Sequence, residues 1–384
     1  MNLKLEPIFS QYLNNQKEFP SFIFYQLLNG LNLILIGTNC GKCFNFLFKN
    51  LELVNIYEDG NKRHILAIGL WPLEKEASET IIFINFRGSS ISLFKIKFSS
   101  NSSIIGLLPL KEFSTEHYGF CRALADLDNK RVFVPDKEDL TNILRVYHKN
   151  GFELILLLSE EFLTKNVSKN KQNVDIFKTM FKGLLMGIEL IEDNLILLVF
   201  EDSTICVFNL KTKQVIDALK HPKHHQFICW CVLNTKNQTL IFISVIGQIY
   251  LISFSSEELR VECVLQKIKN NINCTALAVA TKNFEENPKI AAGLNNGEIQ
   301  LCFLTSLRTD SKWIINSIFS LIPSNDQIPK WSKQLNICLN NIHSNSIQCL
   351  KWIVINEEKE GDDFLVFLCS GSLDEKIAFL QLLN

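Results

Sequence analysis

Short apolar and alternating runs, broken by Gly, Asn, Asp and Ser, recur along the whole chain. Their period is two rather than 3.6, the pattern of strands and not of amphipathic helices. The runs fall into groups of four. The first group, residues 22–57, holds FIFYQLL, NLILIGT, the turn NCG, KCFNFLF and LELVNIY. Further groups span 64–110, 121–159, 184–219, 227–266 and 275–319, each with a tight turn between its second and third runs. A seventh, 346–383, holds only three: SIQCLKWIVI, FLVFLCSGS and KIAFLQLL.

Four-strand units recurring at roughly 40–50 residues predict an all-β chain: a seven-bladed β-propeller of four-stranded antiparallel blades. A blade that is apolar on both faces must stack on its neighbours, and a ring closes the stack without open edges. The N-terminal run LKLEPIFSQ (3–11) is expected to complete the last blade with its missing strand. The alternative is a fragment cut in mid-blade. Residues 1–384 thus read as a single propeller, with insertions near 160–182 and 308–336.

Composition narrows the function classes. Hydrophobic residues are 47% and charged residues 21%, enough to bury a core. The formal net charge of −1 argues against unaided nucleic-acid binding, so nucleic acid is expected only indirectly, through a partner. MNLKLEPIFSQ lacks a basic segment followed by an apolar one, and no run of about 18 apolar residues occurs; neither a leader nor a membrane span is predicted. Most of the twelve cysteines sit in apolar runs such as FICWCV, where thiols behave as small hydrophobes. They read as reduced thiols of the cytoplasm or nucleus.

IHSNSIQCLKWI followed by FLCSGSLDEKIAFLQL resembles a WD repeat, specifically over residues 343–382. His343, Ser370, Gly371, Ser372 and Asp374 match the repeat; Leu380 and Gln381 stand where the family has Trp and Asp. AAGLNNGEIQLCFL in the sixth group matches more weakly, and the first four groups match in pattern only. Asp374 in its turn can accept backbone N–H groups, and His343 can bridge it to Ser370. These residues are expected to form a structural hydrogen-bond network, which stabilises when buried only if every member is paired. With Leu380 in place of Trp, the last blade is expected to lean more on packing. The same ending also resembles, more faintly, the last repeats of the WD-repeat regulatory subunit of tRNA 2′-O-ribose methyltransferase. That resemblance implies a non-catalytic subunit, though that family's members are usually much longer.

Candidate chemistry is sparse. Cys40-Gly-Lys-Cys43 has metal-knuckle spacing but no second pair, and it falls on a hairpin turn that asks for Gly41 on its own account. His221-Pro-Lys-His224-His225 clusters imidazoles in a loop without an anchored carboxylate or thiol. The 160–182 insertion carries Lys165, Lys169 and Lys171 and reads either as a contact for an acidic partner or RNA or as a solvated, mobile segment. The 308–336 insertion carries Trp331, a candidate contact anchor, and Trp313, which suits an outer strand. Among the innermost runs only Asp126 and Glu189 are acidic, thin material for acid–base work. No phosphate loop, G-x-S-x-G or H-E-x-x-H motif occurs. The expectation is therefore no catalytic residue, no metal and no cofactor. The chain reads as a WD-repeat scaffold or adaptor whose partners are other proteins, with no membrane. A ubiquitin-ligase substrate receptor, a trafficking or nuclear complex subunit, and an enzyme with its site in a central channel are the alternatives.

Overall fold

A computed structural model describes the chain apart from residues 1–3, 14–16, 29–30, 48–51, 73–79, 99–103, 149–152, 168–179, 222–225, 235–237, 256, 268–271, 281–288, 307–312, 322–342, 357–363 and 384. After β1 (Lys4–Tyr12), blade 1 is β2 (Pro20–Leu28), β3 (Leu31–Thr38), β4 (Lys42–Leu47) and β5 (Glu52–Glu58). Blade 2 is β6 (Ile65–Leu70), β7 (Ile81–Phe86), β8 (Ser90–Phe98) and β9 (Ile104–Ser114). Blade 3 is β10 (Leu124–Asp126), β11 (Arg131–Glu138), β12 (Thr141–His148) and β13 (Glu153–Leu157), followed by helix α1 (Glu160–Lys165). Blade 4 is β14 (Leu185–Glu192), β15 (Leu195–Phe200), β16 (Thr204–Asn209) and β17 (Gln214–Lys220). Blade 5 is β18 (Cys229–Asn234), β19 (Thr239–Val245), β20 (Gln248–Ser255) and β21 (Glu258–Lys267). Blade 6 is β22 (Cys274–Val279), β23 (Lys289–Leu294), β24 (Ile299–Ser306) and β25 (Trp313–Leu321). Blade 7 takes β26 (Ile347–Asn356), β27 (Phe364–Ser372) and β28 (Lys376–Leu383).

The last sheet runs β1-β28-β27-β26, so the two ends of the chain share one blade. β1 pairs antiparallel with β28 from Lys4↔Leu383 to Tyr12↔Lys376, with a register shift between Pro7 and Phe9. The first strands of the seven blades, β2, β6, β10, β14, β18, β22 and β26, neighbour one another around a common axis. The molecule is a seven-bladed β-propeller. Its core lies between blades, where alternate side chains of adjacent sheets interdigitate. Phe46 meets Phe379 edge to face between blades 1 and 7, and Phe94 meets Tyr57 between blades 2 and 1.

Polar bonds lace the inner strands together. Ser21 Oγ donates to Ile65 O of the next blade (2.6 Å) and reaches Gly37 O of its own (3.2 Å). Thr275 Oγ1 does the same in blade 6, with Ile347 O of the next blade (2.6 Å) and Gly293 O of its own (3.2 Å). Asn85 Oδ1 accepts from Ala123 N (3.1 Å) between blades 2 and 3, and Asn142 Oδ1 from Leu185 N (3.0 Å) between blades 3 and 4. Ser244 Oγ donates to Cys274 O (3.0 Å), and Cys349 Sγ closes the circle on Pro20 O (3.7 Å). Each satisfies an inner-strand backbone group that would otherwise be buried without a partner.

Two local departures from the sequence reading have physical causes. The run CRALADL forms a strand only over Leu124–Asp126. The Ala123 N–H is already bound to Asn85, and Cys121 is buried in the core between blades 3 and 4. The 160–182 insertion is not a wholly solvated segment. Ser159 caps α1 by accepting from Phe162 N (3.1 Å), with Glu160 and Glu161 in its first turn and Lys165 in its last. Leu163, Met180 and Phe181 from the two ends of the insertion are buried in the same core as Leu185 and Phe200. Among the described residues no helix is long and apolar enough to cross a membrane.

Candidate functional site

One face of the ring carries the connections from each outer strand to the next inner strand, together with the turns between second and third strands. On blade 7 these are the residues before β26, with His343, and the turn between β27 and β28, with Asp374. His343 Nδ1 lies 3.1 Å from Asp374 Oδ1, and Nε2 lies 2.8 Å from Ser370 Oγ. Asp374 Oδ2 accepts from Ser344 N (2.7 Å). Burial pushes the Asp374 carboxyl up, but hydrogen bonding and charge from His343, with further bonds from Ser344 and Ser372, outweigh it and hold its pKa below the ordinary value. An ionised carboxylate only accepts, so a neutral imidazole would donate through Nδ1–H and accept the Ser370 hydroxyl at Nε2. The order Ser–His–Asp is that of a hydrolase triad. Here Ser370 is 0% exposed and His343 3%, so Oγ has no approach for a substrate.

Blades 1 to 4 brace the same face with ion pairs. Glu18 accepts from Lys42 Nζ (2.7 Å) and Thr38 Oγ1 (3.1 Å). Arg63 forks onto Asp59 (2.9 and 3.0 Å), bonds Ser90 Oγ (2.7 Å) and reaches Glu112. Arg145 bridges Asp136 and Glu153, both at 2.6 Å, and Lys220 pairs with Asp202 at 3.0 Å. Forked Arg–carboxylate pairs hold geometry better than point contacts. None of these pairs follows a fixed spacing, so sequence inspection did not single them out.

Three charged groups approach the axis. Glu189 lies on β14, Lys351 on β26, and Arg122 just before the short β10. Burial pushes the Glu189 carboxyl up to about 7, against the opposing pull of Arg122, Lys351 and a hydrogen bond from Trp230. Burial lowers the Lys351 ammonium, Glu189 raises it and Arg122 lowers it. Lys351 keeps accessible surface although protein surrounds it, as expected for a side chain opening on the channel rather than on bulk water. Asp126, the other acidic residue of the inner runs, is taken by Arg131 Nε (2.7 Å) and by Asn129.

Cys40 and Cys43 part company. Cys40 sits in the β3–β4 turn, where Gly41 has φ +81°, while Cys43 is buried between blades 1 and 2 with its thiol pushed up to about 12 by burial. His221 meets Tyr250 edge to face, and no group of three or more metal-ligating side chains occurs among the described residues. Lys165 is exposed on α1 and paired with Glu161. Lys169, Lys171, Trp331, His224 and His225 lie outside the described residues, and Trp313 opens outer strand β25.

No family model matches the chain, and no curated protein matches it. Solved structures do. Raptor of Chaetomium thermophilum matches with TM-score 0.60 and 11% identity over 98% of this chain. The chain spans 30% of Raptor's length. The β-propeller domain of Cps50 (Swd1) of Myceliophteria thermophila matches with TM-score 0.59 and 11% identity, covering 97% of this chain and 99% of that one. The likeness concerns the fold alone.

Proposed function

We propose that the chain is a non-catalytic scaffold or adaptor that binds other proteins within a multi-subunit complex, acting in the cytoplasm or nucleus as one propeller across residues 1–384. The observation that carries this reading is the closed ring itself. β1 completes the last blade and polar bonds lace successive inner strands, which makes a rigid platform whose connecting loops are free to vary. The buried His343–Ser370–Asp374 network then serves to hold the last blade rather than to react. The similarity to Raptor and to Cps50 (Swd1) adds fold-level support only.

A finer reading makes the complex a tRNA-modifying methyltransferase, with this chain as its regulatory subunit. It rests on the ending HSNSIQCL…SGSLDEKIAFLQL alone. A central-channel enzyme is the competing class, favoured by Glu189 with its carboxyl held near neutrality. Gentle purification of the tagged chain from its native cells separates them. Co-elution of a methyltransferase with tRNA supports the finer reading, and co-elution of other subunits keeps the scaffold and discards that role. A monomer without partners overturns the scaffold.

A further inference from the structure

Six of the seven arginines lie among the described residues. Arg63, Arg131, Arg145 and Arg260 are each in salt bridges with carboxylates. Arg87 and Arg122 are exposed, and among the described residues neither has a carboxylate within ion-pair distance. Both lie against aromatic rings instead: the Arg87 guanidinium 3.8 Å from the Phe120 ring centroid, the Arg122 guanidinium 5.1 Å from that of Phe22. Both lie near His64, whose pKa burial and these two guanidinium groups lower to about 4, so that imidazole is neutral and adds no third cation.

The surface around them is built, not loose. Arg87 sits in the β7–β8 turn, and the connection from β9 to β10 folds over that turn. Thr115 N donates to Ser89 O (2.9 Å) and Arg87 Nε to Tyr118 O (3.3 Å). Gly88 has φ +67°, and a Cβ there would stand 2.9 Å from the Tyr118 ring, so glycine meets both the backbone and the space requirement. The connection leaves Tyr118 68% and Phe120 49% exposed beside the two arginines. Lys351 feels the charge of Arg122, and the axial set of Arg122, Lys351 and Glu189 has more cations than carboxylates.

We infer that this patch over blades 1 to 3, formed by Arg87, Arg122, Tyr118 and Phe120 and backed by Lys351, docks an acidic segment of a partner protein, whose Asp or Glu carboxylates pair with the two arginines. Tyr and Arg at one spot are the side chains that dominate protein contacts. Guanidinium forks match carboxylates in pairs. A nucleic acid is disfavoured because its affinity accumulates over many phosphates, and the patch offers two arginines on a chain of net charge −1. The inference rests on the scaffold reading above and names what the partner must present.

The test replaces Tyr118 with the photo-crosslinking residue p-benzoylphenylalanine in the tagged full chain, purified with its complex from native cells and irradiated. The expected product joins position 118 to a partner segment rich in Asp and Glu. A peptide of that segment should bind the unmodified chain, and Arg87→Glu with Arg122→Glu should weaken it about tenfold or more. Arg87→Gln with Arg122→Gln should weaken it less while keeping the thermal midpoint of the unmodified chain, which separates lost pairing from lost folding. Cross-linking to a neutral or basic segment or to RNA, or a recovered complex with no cross-link, overturns the inference and leaves the scaffold reading standing. Recovery of no complex at all by the unmodified chain overturns the scaffold reading first.

Discussion

Trp230, on the inner strand of blade 5, packs against Gly187 on the inner strand of blade 4 so closely that a Cβ at position 187 would overlap the indole ring. This joint is made by shape, whereas its neighbours are made by hydroxyl and amide bonds to backbone. The contact also aims the indole N–H at Glu189. Gly187→Ala should therefore force the ring or the strand to move, costing about 1–3 kcal/mol. Urea unfolding of the variant beside the unmodified chain reads this directly; an unchanged midpoint would show that Trp230 has room to withdraw.

Glu189 carries a pH signature. Its folded pKa, near 7, lies above that of an unfolded carboxylate, so between about pH 4.5 and 7 the folded state holds a proton that the unfolded state has lost. Stability from this group therefore falls as pH rises across that window. Glu189→Gln, which mimics the neutral form, should raise the unfolding midpoint at pH 8 by about 2 °C or more and change it little at pH 4. The same shift at both pH values would mean that the carboxylate is not the cause.

In the last blade, Asp374→Asn should cost about 1–3 kcal/mol at pH 7, because it weakens the acceptor for His343 and Ser344. The carboxylate's contribution is present above the ordinary carboxylate pKa and is lost as pH falls through its lower folded-state value. The gap between variant and parent should close in acid. A gap independent of pH in chemical denaturation series would assign the loss to packing.

Deleting residues 1–13 would strip β28 of its partner and leave blade 7 with three strands and an open edge. Thermal unfolding of the whole domain should shift down. An unchanged transition would mean that the ring does not depend on the shared blade.

The propeller was legible because period-two runs and their turns survive sequence drift: each blade needs only apolar faces and a polar turn. The shared blade followed from counting three runs where four were due. Other features depend on partners far away in sequence. β10 is short because Asn85, in a different blade, takes the Ala123 N–H. α1 is too short to show a helical period, and only its Ser159 cap and acidic first turn could have signalled it. His343, Ser370 and Asp374 were visible as a motif because one repeat kept its residues together. The braces around Arg63 and Arg145 had no motif, since any carboxylate within reach serves. Arg87 and Arg122 were unremarkable in sequence; what sets them apart is the absence of an ion-pair partner among the described residues, which no spacing reveals.

The pairing of β1 with β28 imposes a wait on the newborn chain. β1 leaves the ribosome first, and its partner, Lys376–Leu383, follows more than 360 residues later. At bacterial or eukaryotic elongation rates of about 5–20 residues per second, that interval is roughly 20–70 s. During it the first strand has no mate, while every blade between has the residues to form and stack. Its own sequence, KLEPIFSQY, carries two charges and a proline lacking an N–H, features that discourage pairing with stray edges. The ring is thus closed by a strand made long before its mate, and translation speed sets how long that strand stays exposed to other chains.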